Sequence, residues 1–320
     1  MTYQRLSKPR FYMDNANWQF SRGLSRDTAL SLNTGTFISG YDKYQLFDMN
    51  PLNYAQFNVA AGATTVSVEI DFGVAVPCSH ITILNHDLAT QGGRIRVAYS
   101  ASPMATGGGS IIEVAQENLN CGTVSANKIV PSADGDTVCS FTTESARYWV
   151  VEFEALTTWA GALTVGEIIL GESYTMPISP DMPVTKRTLL DGVDVREAYG
   201  GKAYGFSRWI LPNTGAYSPF RDATEATRLA GREAFEFSVG FVNDTNLYPS
   251  DRASGYASAN FLADVVNRSA MNLLPFVFAA DSTSTTTGDY LYARFDQNSF
   301  ETIRKAWLVD SFNLRVVQEF

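Results

Sequence analysis

Apolar and polar residues alternate with a period of two through much of the middle of the chain. Val66, Val68, Ile70 and Phe72 alternate with Thr65, Ser67, Glu69 and Asp71, the pattern of a strand with one face in a core. Ile95, Val97 and Tyr99 repeat it against Arg94 and Arg96, and Trp149, Val151 and Phe153 repeat it again. The run from Leu163 to Leu170 closes the series, and Gly107-Gly108-Gly109 and Asp134-Gly135-Asp136 read as intervening loops. This succession predicts an antiparallel β-sandwich over residues 46–175.

The flanks read differently. Residues 1–45 hold no sustained period, and Gly23, Gly35 and Gly40 interrupt them, which predicts an extended arm with one or two short strands. Pro177, Pro180 and Pro183 fix φ and remove backbone donors, so 176–185 reads as a stiff connector. Beyond it, Asp222-Ala223-Thr224-Glu225 has the form of a capping box and Gly231 ends that short helix. Phe261, Leu262, Val265 and Val266 fall at helical spacing and predict a second helix from Ser258 to Met271. Strands are expected at 235–241, 274–280, 290–296, 305–309 and 311–319. The chain is therefore mainly β: a sandwich plus an α+β domain over 186–320 with one or two helices.

Composition narrows the functions. At 45% apolar and 18% charged residues the chain can build cores, which excludes wholesale disorder. A net charge of −9 argues against a broad grip on nucleic acid. Apolar runs such as Trp149-Val150-Val151 fall far short of the roughly 20 residues a membrane span needs. The start Met1-Thr2-Tyr3-Gln4-Arg5 lacks the apolar segment of a secretory signal. Cys78, Cys121 and Cys139 form no CxxC pair and read as free thiols of a reducing cytoplasm.

Catalytic chemistry is sparse. The two histidines, His80 and His86, stand in no metal-binding frame. Gly205-Phe206-Ser207-Arg208-Trp209 lacks the closing glycine of a nucleophile elbow, and Gly200-Gly201-Lys202-Ala203 lacks the spacing of a phosphate loop. The chain is not expected to be an enzyme. Asn85, His86 and Asp87 follow the strand His80–Leu84 and read either as a loop facing a hydroxyl-bearing ligand or, more commonly, as a turn bonding its own backbone. Trp159 is placed to stack on a sugar face, to pack under its own loop, or to pack against a neighbouring subunit. Asp48 opens the sandwich and Glu167 lies in its last strand. They are candidates to share a structural calcium ion with backbone carbonyls, or else to serve as a cap and as a solvated or arginine-paired carboxylate. No other cofactor is expected.

The order of residues in the sandwich carries a resemblance. Leu46-Phe47-Asp48 with Asn50-Pro51 is followed by Val68-Glu69-Ile70-Asp71-Phe72-Gly73, Ile81 to Leu88 and Ile95 to Ser100. Ala146 to Phe153 and Val165-Gly166-Glu167-Ile168-Ile169-Leu170-Gly171 complete it. This resembles the discoidin-like (galactose-binding-like) jelly roll as it occurs in bacteriophage tail proteins, and implies end loops able to bind host surface carbohydrate. Arg232 to Val242, Leu274 to Asp281, Tyr290 to Phe295 and the ending Gln318-Glu319-Phe320 are similar to distal tail (tail-tip, baseplate) proteins. Those place a tail-tube-like β domain in a ring and carry an accessory sandwich outside it. The resemblance implies a structural role in the virion tail, assembled in the bacterial cytoplasm as a homo-oligomer, six-fold by analogy, contacting tube, hub and fibre proteins. The arm 1–45 would join residues 186–320 and leave the jelly roll as an insertion. The last strand, Phe312 to Phe320, is expected at a sheet edge where a neighbour pairs with it. A carbohydrate-binding host-adhesion module is the alternative, and an envelope-degrading hydrolase a further one.

Overall fold

The structure is a computed structural model, and it describes residues 8–59, 64–189, 193–197, 199, 203–207, 232–249 and 260–319. In chain order the strands are β1 (Arg10–Tyr12), β2 (Leu30–Thr34), β3 (Thr36–Phe37), β4 (Ala55–Asn58), β5 (Thr65–His86) and β6 (Gly93–Ser100). There follow β7 (Ser110–Ile111), β8 (Val114–Leu119), β9 (Thr123–Ser125), β10 (Lys128–Val130), β11 (Gly135–Ala155), β12 (Leu163–Val165), β13 (Glu167–Gly171) and β14 (Ser173–Thr175). The remainder are β15 (Thr185–Leu189), β16 (Val193–Glu197), β17 (Ala203–Ser207), β18 (Arg232–Asn243), β19 (Phe276–Ala279), β20 (Tyr290–Phe295), β21 (Thr302–Ala306) and β22 (Val309–Gln318).

β5 and β11, of 22 and 21 residues, are long enough to serve both layers of a sandwich. Their pairing shifts register between Ser140 and Glu144 and again between Ala146 and Tyr148, and at such bulges strands turn from one sheet to the other. One layer joins β2, the first half of β5, the second half of β11 and β6; the other joins β13, the second half of β5, the first half of β11 and β8. The bulge also changes which residues face inward. Val66, Val68 and Ile70 fill the core before it, Ile81 and Ile83 after it. A short sheet of β3, β4 and β12 lies beside them. This is a jelly-roll sandwich.

The second body is an antiparallel sheet in the order β14-β1-β19-β20-β22-β18-β15, with β21 on β22. Alternation here buries both faces. Phe11, Phe276, Phe278, Leu291 and Phe295 enter one core, under Phe261 and Val265. Tyr12, Val277, Ala279, Tyr290 and Tyr292 enter another, where they meet Leu84, Leu119, Val138 and Ile169 from the outer face of the jelly roll. The two bodies are thus joined sheet to sheet. The chain passes into the jelly roll after Met13 and back out at Glu172, whose carbonyl accepts from Met13 N–H at 3.1 Å.

Several expectations are corrected. Residues 8–45 are no extended arm: only β1 joins the second sheet. Asp14 caps helix α1 (Asn15–Ser21), α2 (Arg26–Ala29) follows, and β2 and β3 complete the jelly roll. The sandwich therefore starts just after Met13, well before residue 46, where the pattern placed its beginning. The segment 176–185 does not stand free. Met176 N–H donates to Pro9 O, Asp181 N–H donates to Ser238 O, and Met176, Ile178 and Val184 pack on the second core. The last strand is interior, because β22 pairs with β18 on one side and with β20 and β21 on the other. The strand expected at 305–309 is displaced to 302–306, since Trp307 and Leu308, the latter at φ 58°, make the turn. The helix expected from Asp222 lies outside the described residues. That from Ser258 is seen from Asn260 on, π-helical at Leu262–Val266. No helix among the described residues is long and apolar enough to cross a membrane.

Candidate functional site

Asn85, His86, Asp87 and Trp159 meet at one end of the jelly roll, around helix α3 (Leu88–Gln91), which crosses from one layer to the other. That end is pinned by side chains. Asn85, at φ 51°, receives the Asp136 carboxylate on its N–H and donates its amide to Pro51 O at 2.8 Å. Asp87 accepts from Thr164 N–H at 2.7 Å and from the Gln91 amide at 3.0 Å. Asp134 accepts from both the N–H and the hydroxyl of Thr90. Each loop is locked to its neighbour.

This locking engages the expected ligand groups within the protein. His86 is buried, and its Nδ1 accepts from Leu88 N–H at 3.3 Å. The proton therefore sits on Nε2, which donates to Thr137 Oγ1 at 2.8 Å. Burial lowers the His86 pKa to about 4. The imidazole is neutral and accepts the first N–H of α3. Trp159 lies against Gly93, where an added Cβ would come within 2.7 Å of the indole ring, and it packs half-buried on the sandwich core. It packs under its own loop. Asn85 and Asp87 behave as turn residues.

Asp48 and Glu167 also come near one another, but as hydrogen-bond acceptors. Asp48 receives Asn50 N–H at 2.9 Å and the Asn53 amide at 2.5 Å. Glu167 is wholly buried and accepts the Tyr292 hydroxyl at 3.0 Å across the sheet-to-sheet junction. Burial, then the nearby Asp14, holds its carboxyl well above the usual range. Its Oε1 lacks a partner, the one feature that favours a cation. The rest does not fit: N–H and O–H donors occupy the other carboxylate oxygens, and no three His, Cys, Asp or Glu gather among the described residues. Glu167 is neither solvated nor arginine-paired; it seals the junction.

His80 is equally withdrawn. Its Nε2 donates to Met13 O at 3.0 Å, and burial lowers its pKa to about 3. What the loop end leaves open spans the boundary drawn at residue 46, with Tyr41 in the segment read as an arm and Tyr54 in the sandwich. Tyr41 and Tyr54 stack with ring centroids 5.7 Å apart and 20° between planes, and Tyr54 and Leu52 are exposed. Pro51, bonded to Asn85, ties this pair to the same end. The signal available in the sequence was tyrosine on both sides of the turn-forming stretch Asp48-Met49-Asn50-Pro51.

No protein-family model matches the sequence, and no curated protein matches it. Among solved structures, chitosan-binding module 1 of a chitosanase/glucanase from Paenibacillus sp. IK-5 is similar at 12% identity and a TM-score of 0.33, covering 44% of this chain and 92% of its own. The lectin domain of lectinolysin, solved with Lewis B antigen, covers 50% and 98% at 14% identity and a TM-score of 0.32. The CpGH89CBM32-5 module from Clostridium perfringens, solved with GalNAc-β-1,3-galactose, covers 44% and 93% at 11% identity and 0.32. These scores are too low to bear on a ligand, and the sandwich is established by its own strand register.

Proposed function

We propose that this protein is a non-catalytic carbohydrate-recognition module held on a rigid β-sheet mount. The observation that carries the reading is the pinned loop end. It is polar and pre-ordered by side-chain-to-backbone bonds, it exposes stacked aromatic rings, and both histidines, His86 within it and His80 elsewhere, are buried and neutral. Such an end gives up little conformational freedom on binding and offers no accessible nucleophile–base pair. The apolar junction behind it fixes its direction relative to the second sheet. Screening the purified chain against an array of host surface glycans tests this. Binding without release of sugar or acyl groups supports it, and no binding to any glycan removes it.

A second reading, a distal tail or baseplate subunit of a bacteriophage, is favoured by a different observation. Met182, Phe241, Ile303, Trp307 and Leu308 are all exposed and gather at one corner of the second sheet. Exposed apolar groups concentrated in one place mark a protein interface. In this reading the second sheet joins a homo-oligomer and the jelly roll points outward to the host. Mass spectrometry of purified virions would find the chain in the particle, and its absence there would end this reading.

A further inference from the structure

We propose that Tyr41 and Tyr54 form the platform of a binding site for a neutral pyranose. The inference rests on the carbohydrate reading above and names its site and ligand class. The two rings stack on each other, and a hydrogen bond between them raises the Tyr41 phenol above its ordinary pKa. They are too few to form a core, and Tyr54 remains 37% exposed. A sugar presents a face of C–H groups and a rim of hydroxyls, which suits an aromatic face with polar groups beside it.

The surroundings supply those polar groups already in place. Asp42 caps the 3₁₀ turn Lys43–Phe47, receiving Tyr44 N–H at 2.7 Å, while its own N–H donates to Gln45 Oε1 at 2.9 Å. Asp48 and Asn50 fold the other arm of the loop by accepting the N–H groups of Asn50 and Leu52. Gln45 Nε2 donates to Asn53 Oδ1 at 3.2 Å, and Asn53 Nδ2 donates to Asp48 at 2.5 Å. Each amide nitrogen carries two hydrogens, so each keeps a second N–H for a sugar hydroxyl.

Charge then selects the ligand. Asp27, Asp42 and Asp48 border the loop and outnumber the cations beside them: the Lys43 ammonium is turned onto the carbonyls of Asp27 and Leu30, and Arg26, near Asp48, is turned onto Asn17 Oδ1 and the Phe20 ring. A sialic or uronic acid would bring its carboxylate against this acidic rim. A neutral hexose meets no such cost.

The test uses the full chain on an array holding neutral, sialylated and uronic-acid glycans, with Tyr54→Ala, Tyr41→Ala, Tyr54→Phe and Trp159→Ala beside the wild type. All four are checked for folding by circular dichroism. The expected result is wild-type binding to neutral glycans alone, a loss of tenfold or more in both tyrosine-to-alanine variants, and near-wild-type binding by Tyr54→Phe. If the wild type binds but Tyr54→Ala and Tyr41→Ala bind equally well, the platform is wrong and the carbohydrate reading stands. A Tyr54→Phe variant as weak as Tyr54→Ala, or preference for acidic glycans, also overturns the platform. If no glycan is bound, both fall.

Discussion

His80 and His86 are held neutral by burial, at pKa values of about 3 and about 4 against an ordinary 6.5. Between those limits the unfolded chain binds protons that the folded chain refuses, so stability is full above 6.5 and falls as the pH drops through that window. Asp14 and Asp264 oppose this: burial raises both from 3.8 to about 6, so they stabilise the fold as the pH falls toward 4. Replacing His86 by Gln should therefore flatten the acid limb, by about 1.4 kcal/mol for each pH unit of the window. Denaturant unfolding from pH 7 to 4 measures it, and parallel curves for variant and wild type would contradict the assignment. Arg96 and Glu152 form a buried ion pair whose remaining atoms hold the backbone of Gly107 and Gly108. Arg96→Ala should cost about 3–5 kcal/mol, because it strands the Glu152 charge, while Arg96→Met with Glu152→Leu should recover much of that loss. A chelator should leave the melting temperature unchanged, since Asp48 and Glu167 are engaged by N–H and O–H donors; a fall with EDTA that Glu167→Gln abolishes would restore the calcium site.

Elements with a strict period were legible. β6, β18, the first part of β5 and the last part of β11 stand where alternation placed them, because a core-facing strand must repeat every second residue. Elements whose face is set by a distant partner were not. Ser67 and Glu69 look solvent-facing in the pattern, yet both are buried, Glu69 accepting from Met104 N–H at 2.7 Å as the loop after β6 folds over them. β2 and β3 are too short to show a period, and their place depends on β5 and β4. The surroundings of the candidate site were not legible for the same reason: the burial of His86 beside Thr137 and the packing of half-buried Trp159 on Gly93 join residues that no local spacing connects. The join between bodies has one element-level test. Gly171 ends β13 where the two chain crossings meet, and an added Cβ would lie 2.0 Å from Met13 O and 2.9 Å from Asn15 N. Neither neighbour is a flexible side chain. Gly171→Ala should cost about 3 kcal/mol or more and loosen the junction, seen as faster amide exchange in β1 and β13; unchanged exchange would show that the crossing can spread.

On the scale of the whole molecule, the pairing of β1 between β14 and β19 changes what truncation does. Removing residues 1–40 deletes an interior strand of one sheet together with β2 and β3 of the sandwich, so it cannot isolate an assembly arm. Assembly is better tested at the exposed corner. The bulge in β18 sets Gly240 and Phe241 opposite Ser311, and Ser311 pairs on its other side with Ile303. Phe241 and Ile303 therefore flank one residue of β22, while Trp307 and Leu308 form the turn beside them, tied to β18 by Asp244 N–H on Leu308 O at 3.0 Å. Met182 borders the bulge, since the neighbouring Asp181 carboxylate lies against Gly240. Trp307 is 85% exposed and Phe241 75%, which leaves their apolar surface in water unless another surface covers it. Wild-type protein should sediment as an oligomer whose size rises with concentration and then levels off, as a closed assembly does. Phe241→Glu with Trp307→Glu should give monomers with an unchanged melting curve, because neither side chain supports a core. A wild type that stays monomeric up to the highest soluble concentration, or a double variant that assembles as before, would leave this corner without a role in self-association.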